Sequence, residues 1–343
     1  MKRVVVAMSG GVDSSTTAYL LKQDGYEVIG ITFKMFDGQD KYLIDAEKVA
    51  KQIGIKWELV DKTVEFNETV ISYFINSYRK GKTPNPCALC NREAKFYYLF
   101  TELLRYDADF IATGHYANKI LENGKLYIKR SFDSPKDQSY YLSLVKREVL
   151  EKTIFPLANM EKNEVRKIAT SFGLVVADKK DSQEICFLEG ADYRDYLRKK
   201  IDPNKIRKGD FILNNKVIGK HYGIEFYTVG QRRGLNLSYH NPLYVYKIEP
   251  ETGNIILVEN KDKGFRGVKL ENCNFYNEEP KLFRGSAKLR YKMKDAECLV
   301  ELLPDNRAHL LFDTPQSFPA PGQVAAIYQR EKLLGGGFIE GVF

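Results

Sequence analysis

The sequence predicts an α/β domain built on a doubly wound parallel sheet, followed by a small central β domain and a C-terminal β-barrel. Three observations carry that expectation. Short β-branched runs alternate with amphipathic stretches through the first half of the 343 residues, the pattern of a parallel sheet covered on both faces. Beyond about residue 200 the pattern changes to short alternating runs separated by Gly, Asn and Pro, which read as hairpins. A chain of this length divides into two or three domains, and the expected boundaries are 1–200, 201–266 and 267–343.

Residues 4–8, 27–33, 56–60 and 110–113 are expected as strands, and residues 14–22, 45–53, 64–79 and 92–106 as helices with the 3.6 period. The stretch MEKNEVRKIATSFG adds a later helix with Gly173 as its C-cap. In the second half, FILNNKVIGKH, PLYVYKIEPETGNIILV and AECLVELLPDNRAHLLF read as hairpins. GFRGVKLENCNFY reads as a seam between two β modules, and PGQVAAIYQREKLLGGGFIE as the closing hairpin of a small barrel.

Composition narrows the function classes. Hydrophobic residues make up 43%, enough for real cores, and no apolar run approaches the roughly 20 residues that span a bilayer. Met1, Lys2 and Arg3 are followed by an apolar run too short for a signal-peptide core. A cytoplasmic protein with no membrane partner is expected, and a monomer. Five cysteines, an odd number in a chain of this size, point to reduced, metal-bound or catalytic sulfur. The net charge of +8 divides as +2 over residues 1–189, +6 over 190–267 and zero beyond. A mild basic excess is commonly a solvated face. Its concentration in the middle segment makes Lys208, Lys220, Arg232 and Arg233 candidates for a polyanion backbone.

The stretch SGGVDSS, residues 9–15, follows the first strand and opens the first helix. Such a turn aims backbone N–H groups and a positive helix end at one point, which suits phosphate. It lacks the Lys-Ser/Thr ending of the Walker motif and the Gly spacing of the dinucleotide fingerprint. Asp13 inside the turn would repel phosphate unless a divalent cation lay between them, and Mg²⁺ with one carboxylate plus phosphate oxygens fits. The turn resembles the pyrophosphatase (PP) loop of enzymes that cleave ATP to AMP and pyrophosphate. That implies an adenylating half-reaction on an adenine-nucleotide-hydrolase-like fold, without naming the acceptor.

Cys87 and Cys90 lie in TPNPCALCNREAKF, a Pro-punctuated loop leading into a helix whose N-terminus is expected to lower a nearby thiol's pKa. Cys186 lies in KKDSQEICFLEG, flanked by Lys179 and Lys180, with Ile-Cys-Phe reading as a short strand. Cys273 and Cys298 sit in strand-like positions and read as small buried hydrophobes. Three thiols beside a PP-loop and a basic β segment point to sulfur chemistry.

The motifs SGGVDSS, TPNPCALCNREAKF, IATGHYA, KDQSYYL, DSQEICF, FYTVGQRRGL and PGQ occur in this order. Together they resemble the tRNA-specific 2-thiouridylase family over nearly the whole chain, the last module less tightly than the first 235 residues. The resemblance implies ATP and Mg²⁺ as cofactors, with Asp13 on the metal. Ala7, Met8, Ser9, Gly10, Gly11, Val12, Asp13 and Ser14 match the ATP loop, and Phe33 and Gly114 match positions lining adenine and ribose. The activated atom would be O2 of the wobble uridine of tRNA. Cys186 matches the cysteine that carries a persulfide, and Cys90 its partner. On the tRNA side the resemblance implies Asn85, Pro86 and Cys87 beside the base, His115 near the anticodon, the run Lys136, Asp137 and Gln138, and Arg290, Tyr291 and Gln323 from the last module. Lys, Glu and Gln tRNAs are the implied substrates, and a cysteine desulfurase or a sulfur-relay protein the implied donor.

Cys87 departs from the family's common form, which has an aspartate there. With Cys90 and Cys186 it makes a three-thiolate set, and such a set can hold a [4Fe–4S] cluster with one iron open. A persulfide relay, a cluster-dependent version of the same thiolation, a zinc half-site and a redox pair all remain open at this point. Rivals of other kinds are an ATP pyrophosphatase acting on a small molecule and a nucleotide-sensing RNA-binding protein without turnover.

Overall fold

The computed structural model describes residues 1–179, 185–259 and 264–343. Its first half holds a five-stranded, fully parallel sheet with strands in the order Lys56–Asp61, Glu27–Lys34, Arg3–Ala7, Phe110–Ala112 and Thr153–Ile154. Val4, Val5 and Val6 are completely buried, as a central strand covered on both faces requires. Helices Val12–Gln23 and Asp40–Ile53 are two of its crossovers. The second ends on Gly54 in the left-handed region (φ 67°), which terminates it cleanly. The expected helix over 64–79 forms from Thr63 to Arg79 with a π turn at Asn67–Ile71. The next runs from Pro86 to Arg105 with a second π turn at Asn91–Lys95. The two π turns pack against each other. Among the described residues no helix is long and apolar enough to cross a membrane.

The central sheet orders its strands Tyr244–Glu249, Asn254–Val258, Gly209–Leu213 and Lys216–His221. Asn214 and Asn215 both take positive φ (48° and 60°) between the last two of these strands, as the tightest hairpin turn demands. The C-terminal module is a closed barrel of six antiparallel strands, Gly264–Phe275, Arg307–Ser317, Ala296–Leu303, Leu282–Lys288, Val324–Gln329 and Lys332–Val342, the last pairing back to the first. GFRGVKLENCNFY is therefore no seam but the barrel's first strand, because both of its edges are hydrogen-bonded. Cys298 is fully buried in the barrel core, and Cys273 is half-buried.

Several contacts tie the halves together. The hairpin Ala117–Glu122 and Lys125–Arg130 leaves the parallel sheet and adds to the barrel, Ile128 opposite Leu333 and Lys129 opposite Lys332. The loop that carries the two nearby cysteines is also seated on the barrel, Thr83 N–H donating to the Pro321 carbonyl at 2.7 Å.

Candidate active site

In the parallel sheet the strand order reverses between Arg3–Ala7 and Phe110–Ala112, and the crevice above the carboxyl ends of such strands is where ligands bind in open α/β sheets. SGGVDSS leaves the first strand there and Thr113, Gly114 and His115 leave the second. Gly10 has φ 67°, and a Cβ on it would lie 2.1 Å from the Tyr42 carbonyl oxygen, so only glycine fits. A Cβ on Gly114 would lie 2.9 Å from both the Asp13 carbonyl carbon and the Ser14 nitrogen; its absence lets the two turns touch. Ser9 N–H donates to Ser14 Oγ at 3.1 Å, and Ser14 Oγ donates to the Gly11 carbonyl at 3.1 Å. Among the described residues no side chain caps helix Val12–Gln23, and its N-terminus faces this crevice, an arrangement suited to phosphate. Ala7 closes the strand and Val12 begins the helix. Met8 is buried, donating its N–H to Ile31 O and accepting from Thr32 Oγ1. Phe33 is buried against Tyr98.

Asp13 is held by two groups that no local pattern announces. Lys162 Nζ lies 2.6 and 2.7 Å from its two carboxylate oxygens, and Tyr116 OH donates to Oδ1 at 2.9 Å. The lysine side chain is 9% exposed and the aspartate 32%. Lys179 donates to the Gly10 carbonyl at 2.8 Å and to Asp45 Oδ2 at 2.7 Å, fastening the loop from below. Lys162 is 149 residues downstream of Asp13 and Lys179 is 169 downstream of Gly10, so only the fold brings them here.

The thiols form the second part of the site. Pro86 occupies the first turn of its helix and Asn85 caps it, accepting from Ala88 N–H at 3.1 Å. This presents Cys87 and Cys90 on one short turn, with Lys95 at the end of the following π turn. Cys186 begins a 3₁₀ turn, Cys186–Leu188, in place of the expected strand. The reason is packing: Phe187 is buried among Phe66, Phe74 and Tyr196, which pulls the chain into a turn and leaves Cys186 exposed at the rim. The three thiols are close enough for Cys87 and Cys90 to act electrostatically on Cys186. The expected lowering of the thiol pKa is reversed. Burial pushes Cys87 up to about 11 and raises Cys90 as well; Cys186 stands at the rim, but the protein packed around its thiol desolvates it and pushes it up to about 12, and Lys95 opposes the shift at each. The helix-end effect reaches only a turn and is outweighed by desolvation. Lys180 and the first four residues of DSQEICF lie outside the described residues.

The residues expected on the tRNA side are placed as follows. Asn85 Nδ2 donates to Tyr140 OH at 3.1 Å, and Tyr140 OH donates to the Val324 carbonyl at 2.9 Å. Gln323 Nε2 donates to the carbonyls of Thr83 and Pro84 at 3.2 and 3.0 Å, so a barrel side chain holds the cysteine loop. Arg290 donates to the Val229 and Phe318 carbonyls at 2.7 and 3.2 Å, bridging the central sheet and the barrel. Tyr291 lies over Tyr141, ring centroids 4.6 Å apart. His115 is buried, its Nδ1 2.8 Å from Thr113 Oγ1, and burial holds its pKa well below the usual imidazole range. Asp137 is buried and accepts from Ser131 N–H, Ser139 N–H and Ser139 Oγ. Gln138 accepts from Tyr116 N–H and donates its own N–H to the Tyr116 carbonyl. Lys136 lines a cavity of about 590 Å³ beside Lys162 and Arg166. Lys208, Lys220, Arg232 and Arg233 all stand exposed at the surface.

The donor sets discriminate among the implied cofactors. Asp13 beside the glycine cradle fits Mg²⁺ carried on a nucleotide, a hard ion that takes one carboxylate and phosphate oxygens. The thiols do not fit a cluster: among the described residues, no three His, Cys, Asp or Glu side chains come together as a group that could hold a metal ion.

Residues 2–190 match the tRNA methyl transferase HUP domain, 194–259 its PRC-barrel domain and 265–339 the aminomethyltransferase β-barrel domain. The chain is 38% identical to the tRNA-specific 2-thiouridylase MnmA of Carboxydothermus hydrogenoformans, over 99% of this chain and 98% of that one. The chain belongs to the tRNA-specific 2-thiouridylase family. A second member, MnmA 1 of Clostridium tetani, is 41% identical over 99% of this chain and 97% of its own length. Among solved structures, the U34-tRNA thiolase NcsA of Methanococcus maripaludis, described with its [4Fe–4S] cluster, is 21% identical with a TM-score of 0.39, covering 60% of this chain and 69% of that one. The family's PP-loop fold, a parallel-sheet domain followed by a central domain and a barrel, is the architecture described above.

Proposed function

We propose that this chain is an ATP-dependent tRNA-uridine 2-sulfurtransferase working by persulfide relay. The observation that carries this reading is the joining of a glycine-cradled anion site at the sheet's switch point to a loop with two thiols and a third thiol at its rim, all held by one fold. The PP-loop residues 7–14 would hold the triphosphate, and Asp13 would hold the Mg²⁺ that screens its negative charge. O2 of the wobble uridine attacks the α-phosphorus, forming an O–P bond and releasing pyrophosphate. The outer sulfur of a Cys186 persulfide then attacks C2, and AMP departs with the former O2. Cys90 thiolate attacks Cys186 Sγ, breaking the S–S bond. The sulfur stays on the base as 2-thiouridine, and Cys90 and Cys186 are left as a disulfide, two electrons more oxidised than the thiols, for the donor system to reduce.

Burial keeps both thiols protonated before substrate arrives. A persulfide is more acidic than its parent thiol, so loading Cys186 supplies the anion that the bare thiol withholds. Lys95, which acts on all three thiols, would stabilise that anion. Cys87 is not required by this sequence of steps. The surface cations Lys208, Lys220, Arg232 and Arg233 are assigned to the tRNA backbone, with domain boundaries at 1–200, 201–266 and 267–343. The sulfur is assigned to a cysteine desulfurase or a relay protein, and a cytoplasmic monomer is the working assembly. The test is mass analysis of tRNA nucleosides after incubation with ATP, Mg²⁺ and a desulfurase with cysteine. 2-Thiouridine at the wobble position, dependent on ATP, is the expected product; unmodified uridine with undiminished ATP cleavage would direct the activity to another acceptor.

A further inference from the structure

We propose that Lys162 keeps the place of Mg²⁺ on Asp13 while the enzyme is free, and passes to the nucleotide's phosphates when the metal–nucleotide complex binds. The inference rests on the ATP-using reading above. Lys162 Nζ meets both oxygens of Asp13 at 2.6 and 2.7 Å, so the ammonium covers the face that the two oxygens share. Mg²⁺ needs one carboxylate oxygen at about 2.1 Å, and an ion seated on the face that Lys162 covers would meet the ammonium in direct like-charge contact, so the two exclude each other there. Tyr116 already occupies one side of Oδ1 at 2.9 Å, which narrows the alternatives for an arriving ion.

A lysine this deeply buried needs an anion wherever it goes. Its backbone N–H is tied to Asp133 Oδ2 at 2.9 Å at the start of helix Lys162–Ser171, so the exchange would run through the four-carbon side chain while the backbone stays in place. Room lies alongside: Lys162, Lys136 and Arg166 share the 590 Å³ cavity, whose described lining also includes the acids Asp133 and Glu161. A polyphosphate reaching toward this cavity from the glycine turn would offer Lys162 the replacement charge at the moment the metal takes Asp13. Metal and nucleotide would then bind as a unit, and neither well alone.

Two titrations test this. Mn²⁺, followed by electron paramagnetic resonance, reports metal binding to nucleotide-free protein, and a fluorescent ATP analogue displaced by ATP or AMP reports nucleotide affinity in Mg²⁺. For Lys162→Gln the expected result is Mn²⁺ binding at least about tenfold tighter than wild type, ATP binding at least about tenfold weaker, and AMP binding unchanged, since AMP lacks the β- and γ-phosphates. Unchanged Mn²⁺ affinity, or equal weakening of ATP and AMP, overturns the exchange. Lys162→Arg keeps the charge and should bind Mn²⁺ as weakly as wild type; tighter binding there overturns the proposal even if the glutamine variant does not fold. Wild-type protein that binds no Mg²⁺–ATP at all would overturn the underlying reading instead; the nucleotide titration of wild type shows that failure, and the Mn²⁺ titration shows failure of the exchange.

Discussion

The two parts of the site are built on opposite physical terms. At the PP-loop, charge is present and paired: Asp13 has an ammonium and a phenol on it, and Lys179 locks the turn. In the thiol pocket charge is withheld, because burial raises Cys87, Cys90 and Cys186 above an ordinary thiol. The first is ready for a ligand that exchanges ions. The second holds its sulfur as thiol and not thiolate at neutral pH. The reaction proposed above, which would use ATP to activate a base at one place and deliver sulfur from another, draws on that difference.

The sharpest way to break the comparison is to remove one half at a time. The largest effect is expected from Cys186→Ser, which should abolish 2-thiouridine formation while leaving tRNA-dependent pyrophosphate release within about twofold of wild type, because the adenylating groups are untouched. Loss of both would mean that the halves are not separable. The mirror experiment is Asp13→Asn, which should lower pyrophosphate release by on the order of 10³-fold by removing the anionic metal ligand. Filter binding should show tRNA affinity nearly unchanged, and a parallel fall would tie Asp13 to the tRNA rather than to the metal.

Gln323→Ala probes the join between the barrel and the thiol loop. It removes two hydrogen bonds to the carbonyls of Thr83 and Pro84, each contributing about 1 kcal/mol. The loosened loop should cut thiolation by about 10-fold to about 100-fold, because small misplacements of reacting groups are costly, with ATP affinity unmoved. A drop in tRNA affinity alone would make Gln323 a tRNA-binding residue and not a strut.

Thiol protonation gives a pH test that needs no variant. With Cys87 near 11 and Cys186 near 12, the thiolate fraction of sulfur-free enzyme rises about tenfold per pH unit between about pH 7 and pH 10. Alkylation mapped by peptide mass should follow that slope for both residues. A plateau by about pH 10 would show a thiol of ordinary pKa, and one by about pH 8 a lowered one. The smallest effect is expected from Arg232→Gln with Arg233→Gln. The slope of tRNA affinity against salt should flatten by roughly 0.7 to 0.9 for each phosphate that the protein no longer neutralises, and an unchanged slope would return both arginines to the solvated surface.

What can be read in the sequence follows from the range over which each determinant acts. SGGVDSS is local: strand, turn and helix start are contiguous in the chain, and the glycine at Gly10 is demanded by φ 67°. The hairpin at Asn214 and Asn215 is legible for the same reason. Lys162 on Asp13 and Gln323 on the Thr83 carbonyl span 149 and 240 residues, and no pattern in either segment encodes its partner. The strand Thr153–Ile154 is two residues long, below what a period can register. The first barrel strand reads as a seam in sequence because both of its partners lie later in the chain. A nearby helix start predicts a lowered thiol pKa, but burial, a property of the whole fold, outweighs that local field at Cys87 and Cys90.

A single-turnover experiment tests the central claim most directly. Enzyme carrying a persulfide on Cys186 is mixed with tRNA, ATP and Mg²⁺ in the absence of donor and reductant, and the nucleosides, AMP and peptide disulfides are counted together. The account predicts one 2-thiouridine, one AMP and one Cys90–Cys186 disulfide for each persulfide consumed. Thiouridine formed with Cys90 still a free thiol, or a disulfide that joins Cys87 in place of Cys90, would contradict it.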